Sequence, residues 1–238
     1  MNEIFNIIVK TLRSNSFYIP SKNEFINGCS LTIRQYNELL ELDSTSEFGF
    51  EQFLKFSILS DKIVSENIES VDNLLYFDKP FLLVQIKMAQ EAEFLGISLA
   101  DYQSSLKTKM ETLSLSSYDT FYINSNLKIN FGLNNFKTVA KTNIDYLISL
   151  ENQYKYPGEI ISLEIFKYLK SIEYYDQNIS DGKNVKDLKA LIGEMPANLV
   201  ETFNKIILRS NTDVKELNTF DNKGDKFVFN PTLEFMLS

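Results

Sequence analysis

The stretch PGEIISLEIFKYLKSI, residues 157–172, carries the most regular apolar spacing in the chain. After Pro157-Gly158, the residues Ile161, Ile165, Tyr168, Leu169 and Ile172 fall along one helical stripe, with Glu164, Lys167 and Lys170 outside it. Recurrence at three and four residues is the mark of an amphipathic helix. This segment therefore predicts a helix, and with it a helical C-terminal half.

The pattern continues on both sides. Downstream, the polar connector Asp176 to Lys183 leads to a short helix ending at Gly193. Pro196 then opens a helix whose buried face holds Leu199, Phe203, Ile206 and Ile207. Proline is well placed at a helix start, where its missing N–H costs nothing. Upstream, Phe121, Ile123, Leu127, Ile129 and Phe131 alternate with polar residues around Asn124 to Asn126, which reads as a hairpin. Residues 98–113 place Leu99, Tyr102, Leu106 and Met110 on one helical face.

Asp78 stands as the N-cap of a helix that has Pro80 in its first turn and runs through Phe81, Leu82, Val84, Ile86 and Met88 towards Gly96. Thr32 caps a helix with Ile33, Tyr36, Leu39 and Leu40, and another helix carries Phe50, Phe53, Leu54 and Ile58. Residues 3–13 suit a short amphipathic helix, and Ser16 to Ile19, stopped by Pro20, pairs with Phe25–Ile26 in a small hairpin. The predicted fold is mainly α with small β elements (α+β): an N-terminal strand pair plus helices, a central hairpin and a C-terminal helical bundle. A change of composition near residue 115 divides 1–114 from 115–238, or marks a bend within one continuous domain.

Composition narrows the chemistry. The chain has 238 residues, 24 Lys plus Arg against 32 Asp plus Glu, and a net charge of −8. Its arginines are Arg13, Arg34 and Arg209. Nucleic-acid binders need a basic stripe to displace phosphate counterions, and anionic bilayers repel an acidic chain. Neither nucleic acid nor membrane is expected as a partner. No apolar run approaches the roughly 18 residues of a membrane span, and residues 4–12 lack the basic flank of a secretion signal. Histidine is absent, so no catalytic triad, Cys-His dyad or histidine-ligated metal can form within the chain. Cys29 is the single cysteine and suits a reducing compartment.

Four motifs each have a functional and a plainer explanation. Ser104 and Lys107 match the S-x-x-K spacing of some acyl-serine enzymes, but the companion motifs are missing and chance accounts for the pair. Asp176, Asn178, Ser180, Asp181 and Gly182 are spaced almost as in a calcium loop. Glycine falls seventh instead of sixth, and the twelfth position is Asp187 instead of Glu. Paired carboxylates would serve a hydrolase, although solvated helix faces explain the same acids. Phe227, Phe229, Leu233, Phe235, Met236 and Leu237 form an apolar terminal stretch suited either to docking on another protein or to packing on the chain's own core. No catalytic, metal-ligating or cofactor-binding residue is singled out, and no cofactor is expected.

Three segments together resemble the T4-type phage baseplate hub and hub-assembly family. They are Tyr18-Ile19-Pro20-Ser21 followed by Leu31-Thr32 and Leu39-Leu40-Glu41, then Tyr76-Phe77-Asp78 leading into Leu82-Leu83-Val84-Gln85-Ile86. The third runs from Lys186-Asp187-Leu188 through Glu194-Met195-Pro196 to Leu233-Glu234-Phe235-Met236. Residues 88–115 depart from the family pattern. The resemblance implies a non-enzymatic, chaperone-like protein that binds other tail and baseplate proteins in the host bacterial cytoplasm. A hub subunit retained in the virion and a carboxylate-dependent hydrolase are the alternatives, and self-association stays open.

Overall fold

The computed structural model describes residues 15–28, 73–90, 94–113, 120–142, 164–222 and 224–230, together with residues 4, 33, 34 and 37. Most of the helices expected over 3–13 and around Thr32, the one expected over 50–58, Cys29 and residues 231–238 lie outside them. Two compact units emerge: Met1–Leu115 with Val214–Ser238, and Ser116–Asp213. Composition marks a single change near 115. The second boundary, after Asp213, falls inside a regular helix and leaves no trace in composition.

In the first unit, strand β1 (Asn15–Ile19) pairs antiparallel with β2 (Glu24–Gly28), with Phe17 opposite Ile26 and Tyr18 opposite Phe25. A 3-10 turn at Tyr76–Asp78 leads into helix α1 (Lys79–Gln90), with Pro80 in its first turn. This helix is buried from Phe81 to Met88 without interruption, so it is an interior helix and not an amphipathic surface one. Further on, Gly96 forms with Leu95 a tight turn of positive φ between Phe94 and Ile97. Helix α2 (Leu99–Thr112) starts at Ser98, whose hydroxyl accepts the Asp101 N–H, and it buries Tyr102 and Leu106.

A two-stranded ribbon is marginal by itself, and here glutamine side chains complete it. Gln85 Oε1 accepts the Tyr18 N–H at 2.7 Å, and Gln85 Nε2 donates to the Tyr18 carbonyl at 2.8 Å and to the Phe81 carbonyl at 3.1 Å. Gln103 Nε2 donates to the Ser16 carbonyl at 2.6 Å and to Gln85 Oε1 at 2.9 Å. The two carboxamides thus occupy the outer edge of β1 as a neighbouring strand would.

The second unit holds a four-stranded antiparallel sheet in the order β3 (Thr120–Tyr122), β4 (Leu127–Phe131), β5 (Leu169–Tyr174), β6 (Gln177–Asn178). Its apolar face, with Ile129, Phe131, Leu169 and Ile172, packs against Leu188 of helix α4 (Val185–Gly193) and Leu199 and Phe203 of helix α5 (Leu199–Leu217). A short helix α3 (Phe136–Thr142) precedes them in the chain and buries Phe136 and Val139. Beyond α5, β7 (Thr219–Asn222) and β8 (Asp225–Val228) form a third antiparallel sheet, belonging to the first unit. Among the described residues no helix is long and apolar enough to cross a membrane.

These three sheets correct the mainly-α expectation and the C-terminal helical bundle. The stripe read as a helix over 161–172 is a 3-10 turn at Ile165–Lys167 followed by strand β5; residues 161–163 are outside the described set. The cause is a bulge. Phe131 pairs with Leu169 and Asn130 with Ser171, so Lys170 is an extra residue in β5. It stretches the interval between the inward residues Leu169 and Ile172 from two to three, which imitates a helical period. The α4 and α5 helices exist, but they cover a sheet instead of forming a bundle. Asp78 does not serve as the cap read for α1: its carboxylate is bound by Ser21.

Replacing Gln85 with the similarly shaped but apolar Met leaves both Tyr18 backbone groups buried without partners. At roughly 1–3 kcal/mol for each orphaned group, stability should fall by about 3 kcal/mol in urea unfolding. An unchanged midpoint would show that β1 does not depend on this amide.

Candidate functional site

Three places hold the residues singled out from sequence or by unusual chemistry. The first is the C-terminal apolar stretch. Phe229 is 5% exposed and lies within the first unit, with ring centroids 5.7 Å from Tyr102, edge to face, and 6.1 Å from Phe94. Its N–H donates to the Asn218 carbonyl at 3.0 Å, extending the β7–β8 ladder. Phe227 is partly buried opposite Phe220 in that hairpin. The Phe229 ring is therefore taken up by the chain's own core, whereas the Phe227 ring stays partly exposed in the hairpin. Leu233, Phe235, Met236 and Leu237 lie outside the described residues.

This corner is tied together across long sequence separations. The Tyr102 hydroxyl donates to Asn218 Oδ1 at 2.6 Å, and burial pushes its pKa up. Lys109 Nζ donates to the carbonyls of Glu216, at 3.0 Å, and Thr219. A lysine on the last carbonyls of a helix both fills open acceptors and opposes the negative end of the helix dipole.

The second place is the junction between the β1–β2 turn and the start of α1. Ser21 donates from its backbone N–H to Asp78 Oδ1 at 3.0 Å and from its hydroxyl to Oδ2 at 2.6 Å. Asp78 is fully buried. Desolvation raises its pKa to about 6, against the opposing pull of the hydrogen bonds from Ser21 and the backbone at Leu75 and of the Lys22 charge. A raised carboxyl pKa is also what a general acid needs. Here, however, both oxygens are engaged with Ser21, and the group works as a tether between two segments.

The third place is one end of the four-stranded sheet. The turn at Asn124–Asn126 and the turn at Tyr175–Asp176 lie side by side, with the Tyr175 N–H donating to the Asn126 carbonyl at 2.8 Å. Lys128 Nζ pairs with Glu173 at 3.0 Å and Asp176 at 2.9 Å. The hydrogen bonds that Lys128 donates to Asp176 and Glu173 raise its pKa, and the bond to Glu173 lowers that of Glu173. Tyr122, Tyr174 and Tyr175 are 67%, 46% and 61% exposed around this end. Sequence reasoning passed over these tyrosines. The available signal was the doublet Tyr174-Tyr175 itself, since alternation in a strand can bury only one of two adjacent rings.

The remaining motifs resolve plainly. Ser104 and Lys107 both sit on the exposed face of α2. The segment resembling a calcium loop is the β5–β6 turn and its exit. Asp176 pairs with Lys128, Asn178 Oδ1 accepts from Ser180 N–H and Oγ, and Asp187 lies in the first turn of α4 under the Asn184 cap. Among the described residues no group of three acidic or cysteine side chains is placed to hold a metal ion. Comparison with protein-family models, curated proteins and solved structures finds no match.

Three outcomes are expected. Asp78 carries a folded pKa above its unfolded value, from 3.8 to about 6, so the folded form holds its proton more tightly. The stability this provides is complete below the unfolded pKa and is lost as pH rises through 6, amounting to about 3 kcal/mol. Asp78→Asn should remove that slope between pH 4.5 and 7.5 in denaturant titrations; a parallel profile for the two proteins would refute the assignment. Phe229→Ala should cost about 3–5 kcal/mol, and deleting residues 227–238 should abolish cooperative melting of the first unit. A truncated chain that melts as before would return the tail to the status of a docking peptide.

Proposed function

We propose that the chain is a non-enzymatic, protein-binding factor acting in assembly of the baseplate hub of a contractile phage tail, in the cytoplasm of the host bacterium. The observation that carries this reading is the contact between two of the three segments that resemble the hub-assembly family. Tyr18 to Ser21 and Phe77 to Gln85 meet in buried hydrogen bonds between Ser21 and Asp78 and between Tyr18 and Gln85, across 57 and 67 residues of chain. A resemblance scattered along a sequence carries more weight when its parts form one structural element. Ordinary surface residues have no such reason to keep company.

The absence of histidine gives the same reading independent support. It removes the commonest general base and the commonest metal ligand from the chain's repertoire. A protein of this size with a buried aromatic core and an acidic surface is well suited to hold another protein through its exposed faces.

A tagged chain captured from cells producing the phage should bring tail-hub proteins with it, and purified particles should lack the chain by mass spectrometry. Stoichiometric presence in particles would make it a hub subunit instead. Capture without any tail protein would overturn the assembly reading altogether.

A further inference from the structure

The tyrosine-bearing end of the four-stranded sheet is built as a rigid surface, and its chemistry selects a kind of partner. Tyr174 and Tyr175 meet edge to face with ring centroids 4.5 Å apart. Tyr175 and Asp176 both hold left-handed backbone, with φ of 49° and 59°. Asparagine and glycine enter that region easily, whereas an aromatic residue does so against steric resistance. A hairpin turn needing only to reverse the chain has no use for tyrosine there.

The turn is also fixed in place. Besides the Tyr175–Asn126 bond and the Lys128 pairs, Asn124 Oδ1 accepts the N–H groups of Asn126 and Leu127, each at 2.8 Å. Rings held this way lose little freedom on binding, which is why tyrosine serves so often as an interface anchor.

Charge decides what they anchor. Glu173 and Asp176 share the single ammonium of Lys128, so the cluster retains one negative charge, and the Asp176 side chain is 88% exposed. The faces of the tyrosine rings are themselves negative and attract cations. A second copy of the chain would bring the same negative cluster and a net charge of −8, which opposes self-association here. Phosphate-bearing partners are opposed likewise.

We propose that Tyr174, Tyr175 and Asp176 form a docking surface for a basic segment of a partner protein. An arginine or lysine of that segment lays its stem and charge against the tyrosine pair and pairs with Asp176. This surface stands independently of the baseplate role, and it would serve any partner with that chemistry.

The probe is the capped peptide acetyl-Gly-Leu-Arg-Leu-Gly-amide, with glutamine in place of arginine as control, titrated into the full chain carrying ¹³C-tyrosine. The ring resonances of Tyr174 and Tyr175 should shift saturably with the arginine peptide and at least several-fold less with the control. Asp176→Asn should weaken the response several-fold. Tyr175→Asn should abolish it while the remaining resonances stay in place, because asparagine accepts the left-handed turn and keeps the hairpin folded. Equal response to both peptides would reduce the site to unspecific apolar contact and overturn the proposal. So would the absence of a saturable shift, or dimerisation of the free chain that Tyr175→Asn removes.

Discussion

The Gln85 carboxamide faces the outer edge of β1 and offers Tyr18 an acceptor and a donor in the arrangement of a peptide group. Its oxygen takes two donors and its nitrogen gives to two carbonyls. Every hydrogen-bonding position of a fully buried amide is thereby used, which is the condition for keeping such a group in an apolar interior. This one side chain ties α1 to the edge of β1, and through Gln103 it ties α2 to the same edge. Ser21 and Asp78 hold the same two segments together at the turn. Loss of either contact frees a ribbon too short to persist alone.

The second unit meets the same requirement by a different route. Its sheet divides by alternation into an apolar face under α4 and α5 and a polar face. On the polar face Asn130 donates to Ser171 and Glu173, Thr120 donates to Asn130, and Lys128 bridges two acids. Lys170, pushed out at the bulge, folds its stem over Gly132 and donates to the Leu133 carbonyl at 2.8 Å. A Cβ on Gly132 would stand 2.9 Å from Lys170 Cε, so the lysine stem would have to shift aside.

Much of the fold was legible where one period ruled a whole segment. The ribbon around Pro20, the hairpin around Asn124 to Asn126, and the helices over 99–112, 185–193 and 199–217 follow their local patterns. Legibility failed where a long-range partner or a single inserted residue changed the meaning of a pattern. Lys170 disguised β5 as a helix. Asp78 has the composition of a cap, yet its partner Ser21 lies 57 residues away. The β7–β8 hairpin is marked only by Gly224 at its turn and by Phe220 facing Phe227 across it, a weak signal beside the apolar run that follows it in sequence. Of the candidate sites, the exposed tyrosines escaped notice because aromatic residues are assumed to be interior until burial is known.

The first unit is discontinuous in sequence, and this bears on how a cell makes the protein. Tyr102 waits for Asn218 and Lys109 for the carbonyls of Glu216 and Thr219, partners more than a hundred residues later in the chain. A ribosome delivers all of Ser116–Asp213 in the interval. The intervening unit can reach its native state while the earlier one still lacks Phe229 and the β7–β8 ribbon, so the half begun first is finished last. A nascent chain interrupted late in translation would therefore display an aromatic corner with its central ring missing, the kind of surface that folding-quality control recognises.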